Sequence, residues 1–123
     1  MEEKPKKILI IEDEKALCRA LELKLTHEGF LVKTLFNGEG FIPMIQSDNF
    51  SLIVCDLIMP KVDGFEVLQM IKDNNINVPI IILTNLSQPE DEKKVRDLGA
   101  TNFLIKSDTP LMKIIENIKE IVG

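Results

Sequence analysis

Acidic, hydroxyl and amine side chains follow directly on four of the short apolar runs in this sequence. They are Glu12, Asp13, Asp56, Thr84 and Lys106. Carboxylates held close together repel one another and raise one another's pKa unless a cation neutralises them. Mg²⁺ meets that need, because it binds through one or two carboxylates and completes its shell with water and phosphate oxygens. A carboxylate nucleophile beside a metal ion, a lysine and a hydroxyl suits phosphoryl transfer.

Imidazole and thiol chemistry is disfavoured by the residues present. The single histidine, His27, falls late in a predicted helix, away from the acidic residues. Cys18 and Cys55 fall inside a predicted helix and a predicted strand, where a small core residue fits the pattern. We therefore expect neither a zinc site nor a disulfide framework, and a reduced chain.

The elements that position the polar residues alternate along the chain. Short runs rich in Ile, Val and Leu predict buried strands, and apolar residues at helical spacing predict helices. The predicted strands are 8–11, 30–36, 51–55, 78–83 and 102–105. The predicted helices are 14–28, 38–47, 65–73, 89–98 and 111–122. Helix starts are marked by Asp63, Pro89 and Thr109 with Pro110, and helix ends by Gly29 and Gly99.

Five strands alternating with five helices predict βαβ units and an α/β fold with a central parallel sheet. Ligands of such sheets bind outside the carboxyl ends of the strands. The five polar residues all stand at predicted strand ends, so we expect them to share one edge of the sheet. A single such residue could be a helix cap or a surface side chain, but five at one edge favour a functional site.

The stretches that carry these residues resemble the receiver domain of two-component response regulators. They are 10–14 (Ile-Ile-Glu-Asp-Glu), 56–64 (Asp-Leu-Ile-Met-Pro-Lys-Val-Asp-Gly), 83–84 (Leu-Thr) and 103–106 (Phe-Leu-Ile-Lys). The resemblance runs from about residue 7 to the end of the chain. It implies a flavodoxin-like doubly wound (βα)5 fold, with a five-stranded parallel sheet in the order 2-1-3-4-5.

A Mg²⁺ site is also implied by the resemblance. Asp13 would bind the ion directly and Glu12 would bind it through water. Asp56 and the backbone carbonyl of Ile58 would complete the protein ligands.

The resemblance further implies that Asp56 is the phosphoacceptor. Lys106 would pair with the phosphoryl group, and Thr84 would move to hydrogen-bond it while Phe103 changes rotamer. A histidine kinase or a histidine phosphotransfer protein would supply the phosphoryl group. The protein would then be a switch that catalyses only its own phosphorylation and dephosphorylation, and not an enzyme for a separate substrate.

Charge and hydropathy agree with a soluble cytoplasmic domain. The 123 residues include 20 acidic and 15 basic side chains, for a net charge of −5. This acidity disfavours direct nucleic-acid binding. No apolar run is longer than four residues, the length of 80–83, which is too short to insert into a membrane, and the charged stretch 1–7 lacks the apolar core of a signal peptide.

The five predicted units occupy nearly the whole length. We therefore expect 1–123 to be a single, stand-alone receiver domain with no output domain in this chain. Output would pass through the face made by the fourth helix, fifth strand and fifth helix, to a downstream protein target or a second copy. The fourth helix has only Val95 and Leu98 as sizeable apolar residues, so we expect it to be loosely held. Met112, outside the apolar arc of the fifth helix, is a candidate contact residue.

Three residues depart from the family pattern. Glu12 stands where Asp is more usual, Asn85 where a small residue is usual, and Ser107 where a proline often follows a cis peptide bond. The larger Asn85 is expected to restrict access of a phosphodonor or of water, or to hydrogen-bond them. Ser107 predicts either a trans bond with an altered loop or a strained cis bond.

Three other functions are disfavoured by these residues, and only the first of them stays open. A pseudo-receiver that binds a partner without phosphorylation fits the same fold, and Asn85 and Ser107 leave it open. A flavodoxin-like cofactor binder would need a phosphate loop after the first strand, where the acidic residues of 12–15 repel phosphate. A phosphatase or mutase would need a second acid two residues after Asp56, where Ile58 stands.

Ile58 and Leu86 predict slow loss of a phosphoryl group from Asp56. They lie two residues after Asp56 and Thr84 and offer no polar atom to orient a hydrolytic water. We expect the phosphorylated protein to be long-lived in Mg²⁺ buffer, and to decay faster when both residues are replaced by polar ones. Intact mass measured over time gives the decay. A lifetime of seconds that the replacements leave unchanged would contradict the prediction.

Overall fold

Strands and helices alternate along the chain, as the apolar runs predict. The computed structural model describes residues 4–86 and 88–123; residues 1–3, part of the charged N-terminal stretch, and Ser87 lie outside the described residues. The strands are β1 (Lys7–Ile11), β2 (Leu31–Leu35), β3 (Leu52–Cys55), β4 (Ile80–Thr84) and β5 (Asn102–Ile105). The helices are α1 (Lys15–His27), α2 (Phe41–Gln46), α3 (Gly64–Asp73), α4 (Pro89–Asp97) and α5 (Leu111–Val122), with a short 3₁₀ helix at Lys106–Asp108.

The strands form one parallel sheet in the order β2-β1-β3-β4-β5, which confirms the expected topology. Its register decides which strand ends are neighbours. Ile11 pairs with Cys55, so the residues that follow β1 and β3 leave the sheet side by side. Thr84 pairs with Ile105, which places the end of β4 beside Lys106.

The sheet is buried on both faces, because successive residues of a strand point to opposite sides. Leu9, Ile11 and Ile53 pack in a cluster with buried residues of α2, α3 and α4. Ile8 and Ile10 pack in a second cluster with α1 and α5. The three central strands β1, β3 and β4 are therefore apolar along their length, with polar residues only at their ends, whereas the edge strand β2 carries Lys33 and Thr34.

Most of the predicted helix ends are confirmed, and α5 begins at Leu111 as predicted, but its predicted cap is wrong. Asp63 and Glu66 form a capping box at the start of α3, and Pro89 is the first residue of α4. Thr109 does not cap α5: its hydroxyl donates to the carbonyl of Ile105 at 2.7 Å. Pro110 is accordingly the residue before α5, not a member of its first turn. The intervening 3₁₀ turn brings the threonine back beneath the end of β5.

The two helices of the expected output face, α4 and α5, differ in how many side chains they bury. α5 buries Ile114, Ile115 and Ile118, and Met112 is 52% exposed, as predicted. Val95 is the buried residue of α4. No described helix, whether in 4–86 or in 88–123, combines the length and the apolar character that crossing a membrane requires.

The loop from Asp56 to α3 depends on the absence of a side chain at Gly64. The Gly64 N–H donates to the carbonyl of Leu57 at 2.9 Å, which folds the start of α3 back onto the end of β3. A Cβ at this position would lie 2.3 Å from the carbonyl oxygen of Asp56 and 2.7 Å from the Cα of Leu57. Both neighbours are backbone atoms that cannot rotate away.

We expect Gly64→Ala to lower the free energy of unfolding by about 2 kcal/mol or more, because the added methyl displaces the backbone of Asp56. Urea denaturation followed by circular dichroism measures the loss. Gly29→Ala is the control, because Gly29 has a φ of +97° but open space around its Cα. That variant is expected to cost only about 1 kcal/mol, from its conformation alone. A smaller loss for Gly64→Ala than for Gly29→Ala would contradict the steric explanation.

Candidate phosphoryl and metal site

Three carboxylates converge at the ends of β1 and β3, as predicted. One oxygen from each of Glu12, Asp13 and Asp56 lies within 4.8 Å of the others. Glu12 and Asp56 are only 2% and 5% exposed. The Asp56 N–H donates to the carbonyl of Ile11 at 3.0 Å, which ties the two strand ends together. Like charges in a buried place require a counter-ion.

Lys106 supplies a positive charge from the end of β5. Its Nζ lies 2.8 Å from Asp56 Oδ2, 2.8 Å from Glu12 Oε1 and 3.0 Å from Glu14 Oε1. Burial alone would lower the pKa of Lys106, but its close contacts with the carboxylates of Asp56, Glu12 and Glu14 outweigh burial and raise that pKa above its usual range. The ammonium therefore stays charged while it is shared among three acids.

Glu12 is the most deeply buried member of the acidic group. Its Oε2 accepts a hydrogen bond from the Glu14 N–H at 2.9 Å. Its buried Oε1 lies beside the ammonium of Lys106. No donor among the described residues is oriented to give this oxygen a hydrogen bond. Burial raises the pKa of Glu12 to about 7, with a further increase from Asp56 and a partial offset from Lys106.

The acidic group fits a hard cation. All three side chains offer carboxylate oxygens, which Mg²⁺ prefers, and no nitrogen or sulfur ligand belongs to the group. Glu12 Oε1 is a buried oxygen available to a metal-bound water. Glu12, Asp13 and Asp56 could therefore hold a divalent metal ion.

Thr84 and Phe103 lie where the sequence places them. Thr84 is buried, and its hydroxyl oxygen accepts a hydrogen bond from the Leu86 N–H at 3.3 Å. Phe103 lies opposite Ile82 in β5 and packs, half-buried, against the α2–α3–α4 side of the core.

A small cavity of about 350 Å³ opens above these groups. It is lined by Asp13, Glu14, Asp56, Ile58, Thr84, Asn85, Leu86 and Lys106. Ile58 stands at its rim with 56% of its surface exposed, and its N–H donates to Asp56 Oδ1 at 3.3 Å. Larger grooves of about 610 and 700 Å³ lie along α3 and α4, away from the acidic residues. The chemistry-bearing side chains thus meet in a modest cavity at the strand ends, of a size that suits a small anionic group.

Asn85 and Ser107, two of the residues that depart from the family pattern, contact each other. The Lys106–Ser107 peptide bond is trans, which excludes the strained cis bond that Ser107 left open. The Ser107 N–H donates to Asn85 Oδ1 at 3.2 Å. Sequence reasoning missed this bond, and it also missed the contact of Glu14 with Lys106. The signal for Glu14 was its place as the third acid in the run 12–14.

A doubly wound parallel sheet with acids, a threonine and a lysine at its strand ends defines a class of signalling domain. Residues 8–118 match the response regulator receiver domain family. The chain belongs to that family, whose members act as signalling switches.

Known relatives agree with this assignment. "Response regulator ArlR" of Staphylococcus aureus (strain Mu50 / ATCC 700699) is 38% identical over 99 residues, which cover 80% of this chain and 45% of that protein. The chain thus spans about half the length of the curated relatives it matches. The Francisella response regulator 1452 receiver domain superposes with a TM-score of 0.88 at 26% identity, over 95% of this chain and 96% of that one.

A second solved structure supports the fold alone. The CheY-like response regulator receiver domain protein from Methanospirillum hungatei JF-1 has a TM-score of 0.89 at 24% identity, over 97% of this chain and 94% of that one.

The raised pKa of Glu12 predicts a pH-dependent stability in Mg²⁺-free buffer. The folded chain holds the Glu12 proton up to about pH 7, whereas the ordinary value for a glutamate is 4.5. Between these values the folded state binds more protons than the unfolded state, so stability falls as pH rises. Relative to Glu12→Gln, we expect the wild type to lose on the order of 3 kcal/mol between pH 4.5 and pH 7.

Denaturant titrations of both proteins in EDTA, at several pH values, give this difference. The remaining titratable groups are shared by the two proteins and largely cancel. A difference that stays constant, or that favours the wild type as pH rises, would contradict a buried Glu12 with a raised pKa.

Proposed function

We propose that this chain is a phosphorelay switch that accepts a phosphoryl group on Asp56 in a Mg²⁺-dependent reaction. The donor would be a histidine kinase or a histidine phosphotransfer protein. One observation carries the proposal: the buried Asp56 carboxylate lies between two further acids and the ammonium of Lys106, which is 2.8 Å away.

Asp56 is the nucleophile of this proposal. An oxygen of its carboxylate attacks phosphorus, the bond from phosphorus to the donor nitrogen breaks, and the donor imidazole keeps the electron pair. Mg²⁺ held by Asp13, Asp56, the carbonyl of Ile58 and, through water, Glu12 would neutralise charge on the phosphoryl oxygens.

Lys106 balances the charge before and after transfer. It already touches Asp56 Oδ2, so it needs only a small displacement to meet an oxygen of the new phosphoryl group. The Ile58 N–H on Oδ1 helps to hold the plane of the carboxylate.

Thr84 and Phe103 would convert the new charge into a change of shape. The Thr84 oxygen accepts from Leu86, so its own proton is available for a phosphoryl oxygen. A threonine drawn toward Asp56 leaves space beside β5 into which Phe103 can turn. We propose that the face of α4, β5 and α5 then binds a downstream protein or a second copy, with Met112 among its exposed residues. The domain would span 1–123 and work in the cytoplasm.

Acetyl phosphate with Mg²⁺ is expected to add one phosphate to the wild type and none to Asp56→Asn. Intact mass spectrometry measures the adduct, and EDTA should abolish it. Asp108→Asn is the matched control, because Asp108 is an exposed acid just beyond Lys106 that does not line the cavity. That variant should be phosphorylated like the wild type. No adduct under any condition, together with no Mg²⁺ binding, would reject the proposal in favour of a pseudo-receiver.

A further inference from the structure

We infer that Asn85 is a positioning residue for Lys106. The Asn85 side chain accepts a hydrogen bond from the Ser107 N–H and thereby holds the loop that carries the lysine. The bond joins Asn85 Oδ1 to the residue directly after Lys106, at 3.2 Å. The inference concerns how this site is built, and its effect on phosphorylation rests on the proposed function.

The bond continues the hydrogen bonding between β4 and β5 just beyond the last backbone pair of these strands. Thr84 and Ile105 are the last registered pair of β4 and β5. Asn85 and Ser107 lie just beyond that pair, and here a side chain takes the place of a backbone carbonyl as the acceptor. The loop is thereby tied to the end of β4, next to the proposed switch residue.

A second contact holds the same turn from its other side. The Thr109 hydroxyl donates to the carbonyl of Ile105 at 2.7 Å and closes the 3₁₀ turn that contains Lys106. The lysine backbone is therefore held both by β4, through Asn85, and by the turn, through Thr109. The flexible lysine stem needs such an anchor if its ammonium is to meet three carboxylates at once.

Asn85 and Ser107, which both depart from the family pattern, thus depend on each other to form this hydrogen bond. A proline at position 107 has no N–H and could not donate to Asn85. A side chain of one or two atoms at position 85 would not carry an amide oxygen to the Ser107 N–H. The amide at position 85 and the free N–H at position 107 are both needed for this contact.

Asn85 also lines the cavity, so its bulk must be separated from its hydrogen bond. Asn85→Leu keeps a side chain of similar size and removes the acceptor. Asn85→Asp keeps the acceptor oxygen. Ser107→Ala keeps the N–H and removes only the hydroxyl, so it is the matched control on the donor side.

Nuclear magnetic resonance without any phosphodonor tests the contact directly. Asn85→Leu should speed hydrogen exchange of the amide at position 107 by about five-fold or more, as expected for the loss of one hydrogen bond. It should also shift the side-chain methylene signals of Lys106. Asn85→Asp and Ser107→Ala should retain the protection of that amide. Unchanged exchange in Asn85→Leu, or faster exchange with unmoved Lys106 signals, would overturn the inference.

Phosphorylation by acetyl phosphate and Mg²⁺ is the second measurement. Asn85→Leu should slow it by about five-fold, the loss that one hydrogen bond supports, while Ser107→Ala leaves it unchanged. An equal rate in wild type and Asn85→Leu would count against positioning. If the wild type takes no phosphate, the proposed function fails, and the resonance measurement still decides whether Asn85 positions Lys106.

Discussion

Mutual repulsion of buried carboxylates is the constraint on which this structure depends. Glu12 and Asp56 are withdrawn from water and share a small volume with Asp13. Lys106 neutralises only part of that charge, and burial, with a smaller contribution from Asp56, raises the pKa of Glu12 to about 7. A divalent cation would therefore be stabilised at this acidic group. Under the proposed function, a cation and then a phosphoryl group would rearrange the same few contacts.

The rest of the fold holds these charges together against their repulsion. The acids leave neighbouring strands that are hydrogen-bonded to each other, and the strands are anchored by apolar contacts on both faces. Gly64 lets the loop after Asp56 fold back onto its own strand. The lysine arrives from β5, two strands away from Asp56, and the cavity above the two side chains is open to solvent.

The elements were predictable because continuous apolar runs and helical spacing are local patterns. The same is true of Asp63, whose capping partner Glu66 is only three residues away. The local pattern gave a wrong cap at Thr109. Its hydroxyl can bond either the start of the helix or the carbonyl of Ile105, and the tertiary structure favours the carbonyl. The bond between Asn85 and Ser107 was beyond sequence reasoning for a similar reason. It joins residues 22 apart and requires the conformation of both loops.

The sparse burial of α4 makes the energy that holds this helix in place small. Val95 is its buried side chain, and Lys94 lies over the ring of Phe65 at 4.3 Å on the surface. Burying one such side chain is worth about 1.5–3 kcal/mol, which is within the range of a few charge-assisted hydrogen bonds. Under the proposed function, new charge-assisted hydrogen bonds at Asp56 would therefore be comparable in energy to the packing that holds α4. A phosphoryl group could then shift the position of this helix without disturbing the rest of the core.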